Sequence, residues 1–89
     1  MKIKSGFAKR NIAGSNIVVP VGSASKDFNG MITLNDSASF FWDCFLNDIT
    51  IDKAVELVCD EYEIDAERAR TDIEKFVKLL KDNNLLETE

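Results

Sequence analysis

The sequence predicts an α+β fold in which a three-stranded antiparallel sheet is followed by three helices. Three observations carry that expectation. Up to Leu34 the apolar residues gather in short β-branched runs, Ile17-Val18-Val19 and Ile32-Thr33-Leu34 among them, as strands require. From Ala38 onward they recur every three or four positions, the period of helices that bury one face. At the changeover stands Asn35-Asp36, two residues whose side-chain oxygens can accept from the unpaired N–H groups of a helix's first turn.

The first strand has the weakest signal, Phe7 among basic and polar residues, and is placed at about Gly6–Arg10. Asn11 to Asn16, with Gly14-Ser15-Asn16 inside it, reads as a turn. Ile17–Val21 is the second strand, and Pro20, lacking an N–H, belongs at its end, at a bulge or on an edge. Gly22 to Asp27 reads as a polar loop, and Phe28-Asn29-Gly30 leads into a third strand, Met31–Leu34. Connections of this length suit an antiparallel meander, with Ile32 and Leu34 facing the core and Met31 and Thr33 facing out. As the last strand before the helices it is expected at an edge, one row of its backbone groups unpaired.

The first helix is expected from about Asp36 to Leu46, where Ala38, Phe41, Trp42 and Phe45 form a stripe that Phe40, Cys44 and Leu46 widen. So apolar a helix belongs at the centre, between sheet and neighbouring helices; ligand binding by Phe40-Phe41-Trp42 is the alternative use of those rings. The second runs from Ile51 to about Tyr62, capped by Thr50, with Ile49 and Ala54 as a hydrophobic staple. Its stripe is Ile51, Val55, Val58 and Tyr62, and Asp52, Glu56, Asp60 and Glu61 face away as a solvated surface. Asp65 caps the third helix, about Ala66–Asn83, with Ile64 stapled to Ala69 and a core stripe of Ala69, Ile73, Phe76 and Leu80. Asn83-Asn84 ends it, since Asn tolerates the left-handed conformation, and Leu85-Leu86 folds back onto the core.

Composition narrows the chemistry. A chain of 89 residues supports one domain, 1–89, and a domain of that size buries roughly 60 % of its unfolded surface, which suits a small binding module better than a deep catalytic cavity. There is no histidine, so the usual zinc ligands and general bases are missing, and lone Ser and Cys residues have nothing to activate them. Cys44 and Cys59 match no metal or redox spacing and read as reduced thiols in a cytoplasmic protein. No phosphate loop or cofactor motif occurs. The Ile17-Val18-Val19 run after Lys2, Lys4, Lys9 and Arg10 is too short, and too soon broken by Pro20, for a secretion signal. Nor does any apolar run approach the roughly 20 residues that cross a bilayer.

Charge is unevenly spread. Residues 1–30 carry five basic and one acidic side chain, and residues 31–89 six basic and fifteen acidic. The net charge of −5 argues against nucleic acid, whose binders usually present a concentrated basic surface, without excluding a local patch. What remains is a surface. The open edge of the third strand can be completed by an extended peptide, with the third helix as one wall. Ile73 and Val77 would form the apolar floor, and Arg70, Lys78 and Lys81 would meet acidic peptide side chains.

The segment Ile32-Thr33-Leu34-Asn35, then Ser37-Ala38 and Phe41-Trp42, Thr50-Ile51-Asp52-Lys53-Ala54-Val55, Tyr62-Glu63-Ile64-Asp65, Asp72-Ile73 and Leu79-Leu80 to Leu85-Leu86 resembles the PqqD-like family. These are the recognition elements of ribosomally made, post-translationally modified peptides. The resemblance spans about Phe7 to Glu87. It implies a winged-helix-like fold and a peptide chaperone that is not itself an enzyme. Such a chaperone captures the leader segment of a precursor peptide as an added strand and delivers it to a modifying enzyme, often a radical S-adenosylmethionine enzyme. Carried onto this chain, the peptide-binding residues are Met31, Ile32, Thr33 and Leu34 on the strand and Arg70, Ile73, Glu74, Val77 and Lys78 on the helix. Asn84 stands where the family usually has glycine. Two further readings are a winged-helix nucleic-acid binder, for which five basic and four acidic residues between Glu67 and Asp82 are a poor match, and a structural subunit or homodimer joined through the same edge.

Overall fold

The computed structural model describes residues 1–22 and 31–87. The element order is β1 (Phe7–Ile12), β2 (Ser15–Pro20), β3 (Ile32–Leu34), α1 (Asp36–Phe45), α2 (Ile51–Tyr62) and α3 (Ala66–Asp82). The sheet is antiparallel in the order β1-β2-β3. This is the expected α+β arrangement, and the winged-helix description fits it only loosely. The loop expected to Asp27 and the lead-in Phe28-Asn29-Gly30 lie, from residue 23 onward, outside the described residues.

The β1–β2 hairpin is longer and tighter than expected. Ala13 (φ 52°) and Gly14 (φ 83°) both adopt the left-handed backbone of a two-residue turn whose twist matches the strands it joins. Asn11 and Ile12 therefore pair with Asn16 and Ser15, where a loop from Asn11 to Asn16 was expected. Pro20 is the last residue of β2, opposite Phe7, an end position that tolerates its missing N–H. Val21 falls beyond the strand, its N–H donating to the Gly6 carbonyl at 2.8 Å.

Register places Lys9, Val18 and Ile32 side by side on the core-facing side of the sheet. Val18 is fully buried. Lys9 instead extends to α1, where its ammonium donates to Ser39 Oγ and to Asp43, each at 2.8 Å. On β3 the alternation is as expected, with Leu34 buried, Ile32 packed against the core and Thr33 exposed. Met31 lies just outside the strand and is 67 % exposed.

Each helix begins on the expected cap. Asn35 accepts from Ala38 N–H at 2.8 Å, Thr50 from Lys53 N–H at 3.1 Å, and Asp65 from Arg68 N–H at 2.8 Å. α1 buries Phe41, Trp42, Cys44 and Phe45, so the aromatic cluster is core, with Phe40 half-buried against Tyr62. α2 closes on Glu63 in the left-handed conformation (φ 52°). α3 ends on Asn84 (φ 57°), whose N–H donates to Lys81 while Leu85 N–H donates to Leu80. That pair of bonds is the Schellman closure, normally reserved for glycine, and it turns the chain so that Leu85 and Leu86 are buried.

One core element has no periodic signal in the sequence. The first residues run back across the C-terminal segment: Lys4 N–H donates to Leu85, Glu87 N–H to Lys2, and Ile3 N–H to Phe45. Ile3, bridged to Leu86, is only 2 % exposed. Among the described residues no helix is long and apolar enough to cross a membrane.

Truncating Ile3 removes a buried side chain at a seam between both ends of the described chain. Ile3→Ala is expected to cost about 2–5 kcal/mol, read by urea unfolding. A loss below about 0.5 kcal/mol would show that the bridge contributes little.

Candidate functional site

Among the described residues, grooves lie on opposite flanks of α3. The first opens at the end of β3. Asn35, Ser37, Ala38 and Phe41 form one side, Asp72, Lys75, Phe76 and Leu79 the other, around an open groove of about 460 Å³. The second, of about 310 Å³, lies between Ile51 at the start of α2 and Glu74, Val77, Lys78, Lys81 and Asp82.

β3 supplies the open edge. β2 pairs with one of its sides, and among the described residues no strand pairs with the other. The chain passes directly from Leu34 to the cap Asn35 and into α1, so strand edge and groove are continuous in sequence.

The residues expected at the site separate accordingly. Met31, Ile32, Thr33 and Leu34 lie at or beside the open edge. Of the α3 residues, Ile73 is fully buried and Val77 nearly so, while Glu74, Val77 and Lys78 border the groove beside α2. Arg70 also turns toward α2, where its guanidinium donates to Asp52. That hydrogen bond, and then the charge of Asp52, push the Arg70 guanidinium above its usual value. Lys78 pairs with Asp82 one turn on, at 2.9 Å. Structure therefore does not bring Arg70, Glu74, Val77 and Lys78 to the groove at the end of β3. It brings Asp72, Lys75, Phe76 and Leu79 there instead, because burial of Phe76 rotates that flank of α3 toward α1. Leu79 had a legible signal: it is an apolar helix residue outside the core stripe, and it stays 37 % exposed.

Acid–base or nucleophilic chemistry has little to work with here. Among the described residues no group of His, Cys, Asp and Glu could hold a metal ion. Both cysteines are free thiols. Burial, and then the neighbouring Asp43 carboxylate, push the Cys44 thiol above its usual value, the reverse of what an attacking thiolate needs.

Residues 16–86 match the family model described as coenzyme PQQ synthesis protein D (PqqD). No curated protein sequence matches. Two solved structures share the fold. One is TbiB1 in complex with the TbiA(beta) leader peptide, 20 % identical with a TM-score of 0.76, the alignment covering 100 % of this chain and 98 % of that one. The other is a lasso peptide synthetase B1 complexed with the leader peptide, 19 % identical with a TM-score of 0.71, covering 94 % and 93 %.

Because its pKa is raised, Cys44 carries less thiolate at any given pH than an ordinary cysteine. In the native protein at pH 8 an aromatic disulfide reagent is expected to label Cys59, which is partly exposed, well ahead of Cys44. Cys44 labelling should accelerate only at higher pH or on unfolding; equal rates at pH 8 would contradict the buried placement.

Proposed function

The chain belongs to the PqqD family, and from that premise we propose that it binds the leader segment of a ribosomally made precursor peptide and presents it to a modifying enzyme, catalysing nothing itself. The peptide lies as an added strand along the open edge of β3, held by the backbone of Met31, Ile32, Thr33 and Leu34, with its inward side chains in the groove toward Phe76 and Leu79. The radical S-adenosylmethionine class is the proposed partner enzyme, and residues 1–89 act as a single recognition domain.

The observation that carries the reading is the open edge of β3 running into a groove with an apolar floor. An unpaired edge presents N–H and C=O groups in a row, and an extended peptide satisfies them by pairing. Each such bond contributes about 0.5–1.5 kcal/mol net, and each buried apolar anchor roughly 1.5–3 kcal/mol. Ordering a flexible peptide costs about 2–5 kcal/mol or more. The balance favours micromolar or somewhat tighter affinity, on the order of −8 kcal/mol. Both structural neighbours are complexes with leader peptides, which supports the same class of ligand for this chain.

The test is titration of isotopically labelled protein with the leader of a precursor encoded beside its gene. Amide shifts are expected to concentrate on Met31–Leu34, the start of α1 and the Asp72–Leu79 flank of α3. Leu79→Ala should weaken binding roughly fivefold to tenfold, the cost of about 1–1.4 kcal/mol for part of an apolar anchor. Arg70→Ala, on the other flank, should leave affinity within about twofold, the lower end of the exposed-pair scale. Shifts confined to the α2 side, or the two variants in reverse order, would refute this placement.

A further inference from the structure

The groove wall on α3 is charged, and among the described residues its charges have no ion-pair partner. Arg70 is engaged by Asp52 and Lys78 by Asp82. By contrast Asp72 and Lys75, both bordering the groove at the end of β3, make no ion pair with each other or with any other described residue. Asp72 is half-buried and Lys75 exposed. Between and beside them Phe76 and Leu79, with Phe41 across the gap, supply the apolar floor. A cation and an anion thus stand three residues apart, about 4.5 Å along the helix axis, at the rim of an apolar trough.

We propose that Asp72 and Lys75 select the charge pattern of the bound peptide. The preferred ligand carries an apolar anchor for the floor, an acidic side chain that reaches Lys75 and a basic side chain that reaches Asp72. Resting on the strand-addition reading, the inference deepens it by naming the chemistry of the occupant. Residues two apart on an added strand share a face and lie roughly 6.7 Å from each other, a span that long side chains on strand and helix close together. The opposite order of charges places like against like at both positions, so the pair discriminates against a reversed peptide as well as favouring the matching one.

The experiment selects 12-residue peptides from a displayed random library, once with the natural chain and once with the D72K/K75D double variant. K75A serves as a milder control, and amide spectra and thermal unfolding establish that each chain is folded. Peptides selected by the natural chain are expected to carry an acidic and a basic residue two positions apart beside an apolar one. They should bind the double variant roughly fivefold to twentyfold more weakly, two exposed pairs lost and two repulsions gained. Peptides with the two charges exchanged should prefer the double variant, and K75A should lose only the acidic preference. Raising salt to about 1 M, where screening acts within roughly 3 Å, should shrink the discrimination. Selected peptides that move the β3 amides but show no charge bias, or bind both chains equally, would overturn the charge selection and leave strand addition standing. If no selected peptide moves the β3 amides, both fall.

Discussion

Burial of Phe76 is the constraint on which the placement of α3 depends, because it fixes the rotation of that helix about its own axis. Its ring meets Phe41 edge-on at 5.7 Å and stacks with Phe45 at 6.3 Å. Such aromatic pairs contribute about 0.5–1.5 kcal/mol each beyond the area they bury. With Phe76 directed at α1, residues a little to one side of it, Asp72, Lys75 and Leu79, must border the space at the end of β3. Those on the other side, Arg70, Glu74 and Lys78, must lie toward α2. A side chain buried for packing reasons thereby decides which charged residues border the groove at the end of β3.

The second constraint is the junction between sheet and helices. β3 has three residues, and so short a strand is secured by the helix it runs into. Asn35 caps α1 immediately after Leu34, so the strand cannot shift its register without displacing the cap and the buried aromatic face of the helix. The edge of β3 that no described strand pairs with is consequently short but firmly placed. The family match over residues 16–86 and the fold shared with two solved structures cover this junction.

Several local features were legible because each depends on a few adjacent residues. Asn35, Thr50 and Asp65 are caps wherever a helix starts beside them, and Asn84 is one of the few residues that closes a helix in the left-handed conformation at little cost. The stripe Ala69, Ile73, Phe76, Leu80 follows from helical period alone. The β1–β2 hairpin was harder to read, since Asn11, Asn16 and Ser15 are turn formers by composition, yet the positive φ angles of Ala13-Gly14 place the turn between them and draw all three into the ladder. Ile3 was invisible: its burial comes from pairing with Leu86, more than 80 residues away in the chain.

By itself the sequence determined the order of elements, their caps and the apolar stripes, because these rest on period and on hydrogen bonds reaching only three or four residues. It also ruled out chemistry that needs histidine. Only the tertiary structure decided which flank of α3 faces the end of β3 and which cations are already paired. Helical period states which residues share a face, but not where a neighbour stands. That neighbour is placed by the packing of Phe41, Phe45 and Phe76, and ion pairs such as Arg70 with Asp52 exist only once two helices have been set side by side.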